Sequence, residues 1–206
     1  LSDPFIIYAL PRSRTAWLSR YLTYAGWVCG HEKAITVRSM RDIVDYFSQP
    51  GVGTAETAAA QGWWLWHHYV PNLRAIVVRR AVDDVMRSML AVDISPMRYD
   101  IGILRRNMNY GARMLDQISA QENVLTLDYE DLDTERGCKT IFEHCLMQPF
   151  DRGWWLKLRE QNIQVDVRSV LNYYHANRDA VENTKRLCKS ELRRLARDGS
   201  LLRTAA

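Results

Sequence analysis

The stretch Phe5-Ile-Ile-Tyr-Ala-Leu-Pro-Arg-Ser-Arg-Thr-Ala-Trp-Leu18 constrains the fold more than any other part of the chain. Its apolar run from Phe5 to Leu10 suits a buried strand, Pro11 ends that strand, and from Thr15 to Tyr24 apolar side chains return at helical spacing. A helix starting after such a loop aims free backbone N–H groups and the positive end of its dipole at the loop. Arg12, Ser13, Arg14 and Thr15 add charge and hydroxyls there. The segment therefore predicts a cradle for a phosphate or sulfate at the end of a buried strand; the competing reading is a basic helix start on the surface. Kinase or ATPase chemistry is disfavoured, because the loop has no glycine for backbone approach and no lysine for the β- and γ-phosphates.

Two further strand-to-helix junctions follow. Leu73 to Arg80 reads as a buried strand and Ala81 to Leu90 as the helix after it, with Arg80 at the junction and Ser88 two turns along. A guanidinium grips a phosphate through paired hydrogen bonds, and a serine so placed can turn its hydroxyl to the same anion. Either residue alone could equally cap or solvate a helix. Asn123 to Leu132 reads as a late strand ending in Tyr129-Glu-Asp-Leu, followed by a helix from Thr134 to Leu146.

Pro11-Arg12-Ser13-Arg14-Thr15-Ala16-Trp17 resembles the 5′-phosphosulfate loop of the sulfotransferases, commonly Pro-Lys/Arg-Ser-Gly-Thr-Thr/Ser before an apolar or Trp residue. Arg80, Asp84-Val85 and Ser88 resemble the family's 3′-phosphate motif in order and spacing, and the Tyr129-Glu-Asp-Leu ending resembles its late strand. Asp84-Val85 sets the register that favours Arg80 over Arg79. The three motifs cover roughly the first two thirds of the chain. The resemblance implies a P-loop-like sulfotransferase architecture and 3′-phosphoadenosine 5′-phosphosulfate as donor, with Arg12, Ser13, Arg14, Thr15, Ala16, Trp17, Arg80, Ser88 and Tyr129 around it and no metal. Arg12 would stabilise the leaving phosphate. Trp17 would lie against the adenine or belong to the core, and Tyr129 would reach the adenine region. Two departures stand out: Arg14 occupies the usual glycine position, and the family's late Gly-x-x-Gly-x-x-Lys loop is missing, leaving the basic stretch from Lys185 to Arg197 as a possible substitute.

Val28-Cys29-Gly30-His31-Glu32 resembles the segment in which tyrosylprotein sulfotransferases carry a catalytic glutamate, which makes Glu32 the first candidate for the base. His31 is an insertion relative to that pattern and can titrate near neutrality, so it is the second. Trp63, Trp64, Trp66, His67, His68 and Tyr69 suit either a core or a pocket for a hydroxyl-bearing acceptor, the core reading being the stronger.

At 206 residues and 47% hydrophobic content, one α/β domain over 1–206 is expected, with a mainly parallel sheet flanked by helices and a helical part after Pro149. Strands are expected near 5–10, 27–30, 74–79 and 123–128; Pro50 to Thr54 reads as a turn and Glu56 to Tyr69 as a helix. No apolar run is long enough to span a membrane and no cleavable leader is visible, so a soluble cytoplasmic protein is expected. Cys29, Cys138, Cys145 and Cys188 lack metal-ligand spacing and suit reduced thiols. The net charge of +4, without a recognisable nucleic-acid module, gives no reason to expect nucleic acid as a partner. Besides a sulfotransferase, a non-catalytic nucleotide-binding protein of the same fold and a nucleotide kinase-like enzyme remain open.

Overall fold

Five strands, all paired in parallel, form the centre of the molecule in the order β2-β3-β1-β4-β5. The computed structural model describes residues 3–91, 100–163 and 167–198. The strands are β1 (Phe5–Ala9), β2 (Val28–His31), β3 (Val52–Glu56), β4 (Arg74–Arg79) and β5 (Leu125–Asp128). The helices are α1 (Thr15–Tyr21), α2 (Met40–Phe47), α3 (Trp63–Tyr69), α4 (Val82–Leu90), α5 (Ile101–Ser119), α6 (Glu135–Leu146), α7 (Arg152–Arg159) and α8 (Val167–Arg197). The α/β class with a parallel sheet and a helical C-terminal part is as expected, and the strand order is consistent with P-loop-like folds.

Every side chain of β1 is buried, as a parallel strand covered on both faces requires. Ile6, Tyr8 and Leu10 enter the core under α2, α3, α5 and α8. Phe5, Ile7 and Ala9 enter the opposite core under α1, α6 and α7. Burial of a side chain such as Phe5, Ile6 or Ile7 contributes about 1.5–3 kcal/mol, and β1 pairs with β3 on one side and β4 on the other, so the strand that precedes the basic loop is the centre of the sheet.

β3 corrects the expected turn at Pro50 to Thr54 and the expected helix beginning at Glu56. Gly51 does turn, at φ +65°, but Gly53 lies inside the strand. A Cβ on Gly53 would come 2.2 Å from Phe5 Cζ, so this glycine makes room for an aromatic ring across the sheet. The helix expected after it is shortened to α3, which follows a 3₁₀ turn at Ala59–Gly62. At the other end of the chain, the helical part expected after Pro149 consists of α7 and the long α8, and residues 164–166 between them lie outside the described residues.

The order 2-3-1-4-5 places a topological switch between β1, whose chain leaves toward β2, and β4, whose chain leaves toward β5. In an open parallel sheet the crevice at the carboxyl ends of two such strands is where a ligand fits. The loop at Arg12 follows β1, and Arg80 follows β4, so the two flank that crevice. Among the described residues no helix is long and apolar enough to cross a membrane.

Candidate functional site

The loop after β1 carries two residues in left-handed backbone conformations, Arg12 at φ 65° and Arg14 at φ 60°. Each costs a non-glycine residue about 1–2 kcal/mol, so neighbours must hold the loop in shape. Arg12 Nε donates to Ser88 Oγ at 3.3 Å. Arg80 donates to the Arg12 carbonyl oxygen. Arg14 donates to the Leu132 carbonyl at 3.1 Å and to Asp133 Oδ1 at 2.5 Å. Arg14 therefore keeps the conformation a glycine would favour and turns its side chain away along the 3₁₀ turn at Tyr129–Asp133.

Tyr129 completes the group. The Arg80 guanidinium carbon sits 4.0 Å from the centre of its ring and that of Arg14 sits 5.2 Å away, so the ring carries two cations. The structure thus brings Arg12, Arg14, Arg80, Ser88 and Tyr129 together from four segments. It also separates Arg80 from Arg79, which turns to Asp116 Oδ1 at 3.5 Å. Helix α1 has only seven residues, so its dipole adds at most about half a charge; the guanidinium groups dominate the local field.

Polar atoms at this place are buried without a partner among the described residues: Arg80 Nε and Ser13 Oγ. A buried donor left unpaired costs about 1–3 kcal/mol, and both atoms suit an oxyanion. Two clefts of about 270 and 290 Å³ open nearby. The first is lined by Arg14, Trp17, Arg159 and Ile163, the second by Arg79, Arg80, Asp116 and Glu130.

Trp17 belongs chiefly to the core. It is 7% exposed, its indole N–H donates to the Leu158 carbonyl at 3.1 Å, and it stacks on Tyr21 with 4.7 Å between ring centres. Ala16 lies in the first turn of α1. The basic stretch considered as a substitute for the missing late loop packs through Leu187, Cys188, Leu192 and Leu195 on the core under α2 and α3. Its Lys185 pairs with Glu182, and Arg194 pairs with Glu191 and Asp198.

His31 ends β2 on the side of α1, and its Nε2 lies 3.1 Å from Thr15 Oγ1 in the loop. Burial holds its pKa below the ordinary imidazole value, so the ring is neutral at neutral pH. Glu32 follows at φ 56°, which turns its side chain toward β3. Glu32 Oε1 accepts from the Thr57 N–H at 3.0 Å and lies 3.9 Å from His31 Nε2, while Oε2 is buried without a partner among the described residues. Burial raises the Glu32 pKa, and the Thr57 hydrogen bond offsets part of that.

Sequence reasoning overlooked Glu56 and Asp133. Glu56 ends β3 and is fully buried; Asp133 clamps Arg14. The signal for Glu56 is the alternation Val52, Thr54, Glu56 on one face of a strand, which Gly51 and Gly53 mask. Of the aromatic stretch, Leu65 and Trp66 are core, whereas His67 packs against Tyr8 with 6.2 Å between ring centres. Burial lowers the His67 pKa to about 4.

Protein-family models give no match to the chain, and a search of curated proteins finds no match either.

Proposed function

We propose that this protein is a sulfotransferase that moves a sulfuryl group from 3′-phosphoadenosine 5′-phosphosulfate to a hydroxyl acceptor. The observation that carries the reading is the meeting of Arg12 with Ser88, 76 residues apart, beneath an Arg80 that bonds the loop backbone and stacks on Tyr129. The sequence resemblances nominate Arg12, Arg80 and Ser88 for the two phosphates and Tyr129 for the adenine region, and the strand ends that carry them are separate. Unpaired Arg80 Nε and Ser13 Oγ fit anionic oxygens in the same place.

In this reading Arg80 and Ser88 hold the 3′-phosphate, and Arg12, Ser13 and Thr15 hold the 5′ end. The acceptor oxygen forms a bond to sulfur while the sulfur–oxygen bond to the phosphate breaks, leaving its electron pair on the phosphate. Arg12 is permanently charged and stabilises that leaving oxygen without giving up a proton. The acceptor's proton goes to Glu32, whose side chain is 16% exposed and whose raised pKa makes it a stronger base than an ordinary carboxylate. Neutral His31 meets Thr15 through Nε2 and so ties the end of β2, just before Glu32, to the loop.

A non-catalytic nucleotide-binding protein is the second reading, favoured by Arg14, whose bulk and clamp on Asp133 replace a glycine beside the nucleotide loop. Calorimetric titration with 3′-phosphoadenosine 5′-phosphate tests the shared premise. Wild-type protein should bind it, Arg12→Ala and Arg80→Ala should weaken binding roughly 10- to 100-fold, and AMP should bind poorly. No binding by folded wild-type protein rejects both readings. If binding is present, turnover that Glu32→Gln abolishes separates the enzyme from the binder.

A further inference from the structure

Glu56 is the one fully buried carboxyl among the described residues. It stands opposite Tyr8 of β1 in the sheet register. Its Oε1 accepts from the Thr54 hydroxyl at 2.5 Å and from the Ala34 N–H at 3.1 Å, while Oε2 has no partner among the described residues. Glu32 mirrors this arrangement. Its N–H donates to the Ala55 carbonyl at 3.0 Å and its Oε1 accepts from the Thr57 N–H at 3.0 Å. Glu32 therefore clasps the residues on both sides of Glu56, and Glu56 holds the residue two places beyond Glu32.

Two ionised carboxyls here, each with a buried bare oxygen, would repel one another, and each would lose hydration that no hydrogen bond replaces. The ionisable groups acting on or acted on by Glu56 are Tyr8 from β1, Cys29 from β2, Glu32 after it and Tyr46 from α2, all of them acids. Lys33 contributes its backbone N–H, while its exposed side chain lies over Gly30. From α3, His67 packs on Tyr8 and is kept neutral by burial. With no cation acting on it in this set, a proton is the simplest way to neutralise one carboxyl.

We propose that Glu32 and Glu56 share a single proton, that Glu56 keeps it, and that Glu56 is thereby the positioning residue that lets Glu32 alone be ionised at the site. The role of Glu32 as base rests on the sulfotransferase reading; the pairing does not. No bond is made or broken at Glu56, which holds Ala34 and Thr54 in place as a neutral acid and sets an alkaline limit. Once it ionises, two negative charges sit at the neighbouring ends of β2 and β3.

Carbon-13 labelling of glutamate side-chain carboxyls, followed by NMR across about pH 3 to 10 in the full chain and in its E32Q and E56Q variants, tests the pair. One carboxyl in the wild type should titrate well above the ordinary glutamate range. E56Q should remove that step, and E32Q should move it down by at least one pH unit. A wild type in which every glutamate titrates in the ordinary range, or a high step that E32Q leaves in place, overturns the proposal. The second readout is the pH–rate profile: E56Q, a permanent mimic of the protonated acid, should move the alkaline limb upward. An E56Q profile with its alkaline limb where the wild type has it rejects the functional role. Absence of 3′-phosphoadenosine 5′-phosphate binding by wild-type protein would reject the sulfotransferase reading, while the titration still decides the pair.

Discussion

The Arg80 guanidinium carbon lies 4.0 Å from the centre of the Tyr129 ring, while one of its nitrogens bonds the Arg12 carbonyl. One arginine thus ties the end of β4 both to the loop after β1 and to the turn after β5. Tyr129→Leu removes the face that steadies this cation, worth about 0.5–2 kcal/mol, and should weaken 3′-phosphoadenosine 5′-phosphate binding roughly 2- to 30-fold. Tyr129→Phe keeps the face and should bind within about threefold of wild type. Calorimetric titration of the two variants checks the pair, and equal losses in both would contradict the stacking role.

Arg14 holds a left-handed conformation while its side chain pairs with Asp133, the two side chains being 33% and 58% exposed. Arg14→Gly relieves about 1 kcal/mol of backbone strain but loses the exposed ion pair, worth about 0–1 kcal/mol, the hydrogen bond to the Leu132 carbonyl, worth about 0.5–1.5 kcal/mol, and the contact with Tyr129. The losses outweigh the relief, so urea unfolding should place this variant about 0.5–2 kcal/mol below wild type. Asp133→Ala loses only the exposed pair and should be the more stable of the two, within about 1 kcal/mol of wild type.

Gly53 faces the ring of Phe5, which a Cβ would approach to 2.2 Å. Gly53→Ala should destabilise the protein by about 1–3 kcal/mol, the usual range for overpacking. Phe5→Leu should relieve part of that loss, giving a favourable coupling in a double-mutant cycle. Additive losses would show that the strand tolerates the methyl by another route.

The pH dependence of stability has two opposing limbs. Glu56 is pushed up from about 4.5 to about 8 by burial and then by Glu32. Its contribution is complete below the unfolded pKa near 4.5 and is lost as pH rises through about 8; Glu32, also raised, acts in the same direction. His67 is pushed down from 6.5 to about 4 by burial, so its contribution is complete above 6.5 and is lost as pH falls through about 4. Each single proton gives a slope of about 1.4 kcal/mol per pH unit. Between about 4.5 and 6.5 the Glu56 and His67 slopes offset one another, and toward pH 8 the Glu56 limb remains. Thermal melts of E56Q should rise with pH between about 4 and 6.5 and then stay flatter than wild type up to about pH 8. A wild-type and E56Q pair with the same slope in both windows would remove Glu56 as its source.

The sequence by itself determined the buried strand from Phe5, the basic loop after it, the strand at Arg74 and the late strand ending at Asp128. It did so because these signals are local: an apolar run of strand length, a proline stop, and helical periodicity beyond. Arg12, Ser88, Arg80 and Tyr129 could be nominated by resemblance to known motifs, but their convergence depends on β1 lying beside β4 and β4 beside β5, which is sheet order. Only the tertiary structure decided that Gly53 belongs to a strand, since the ring that requires it is 48 positions away at Phe5. The same holds for Glu56. Its burial and its missing hydrogen bond come from strands that meet across the sheet. Local pattern names an element's type, while long-range pairing decides which polar side chains lose their water and therefore which of them can do chemistry.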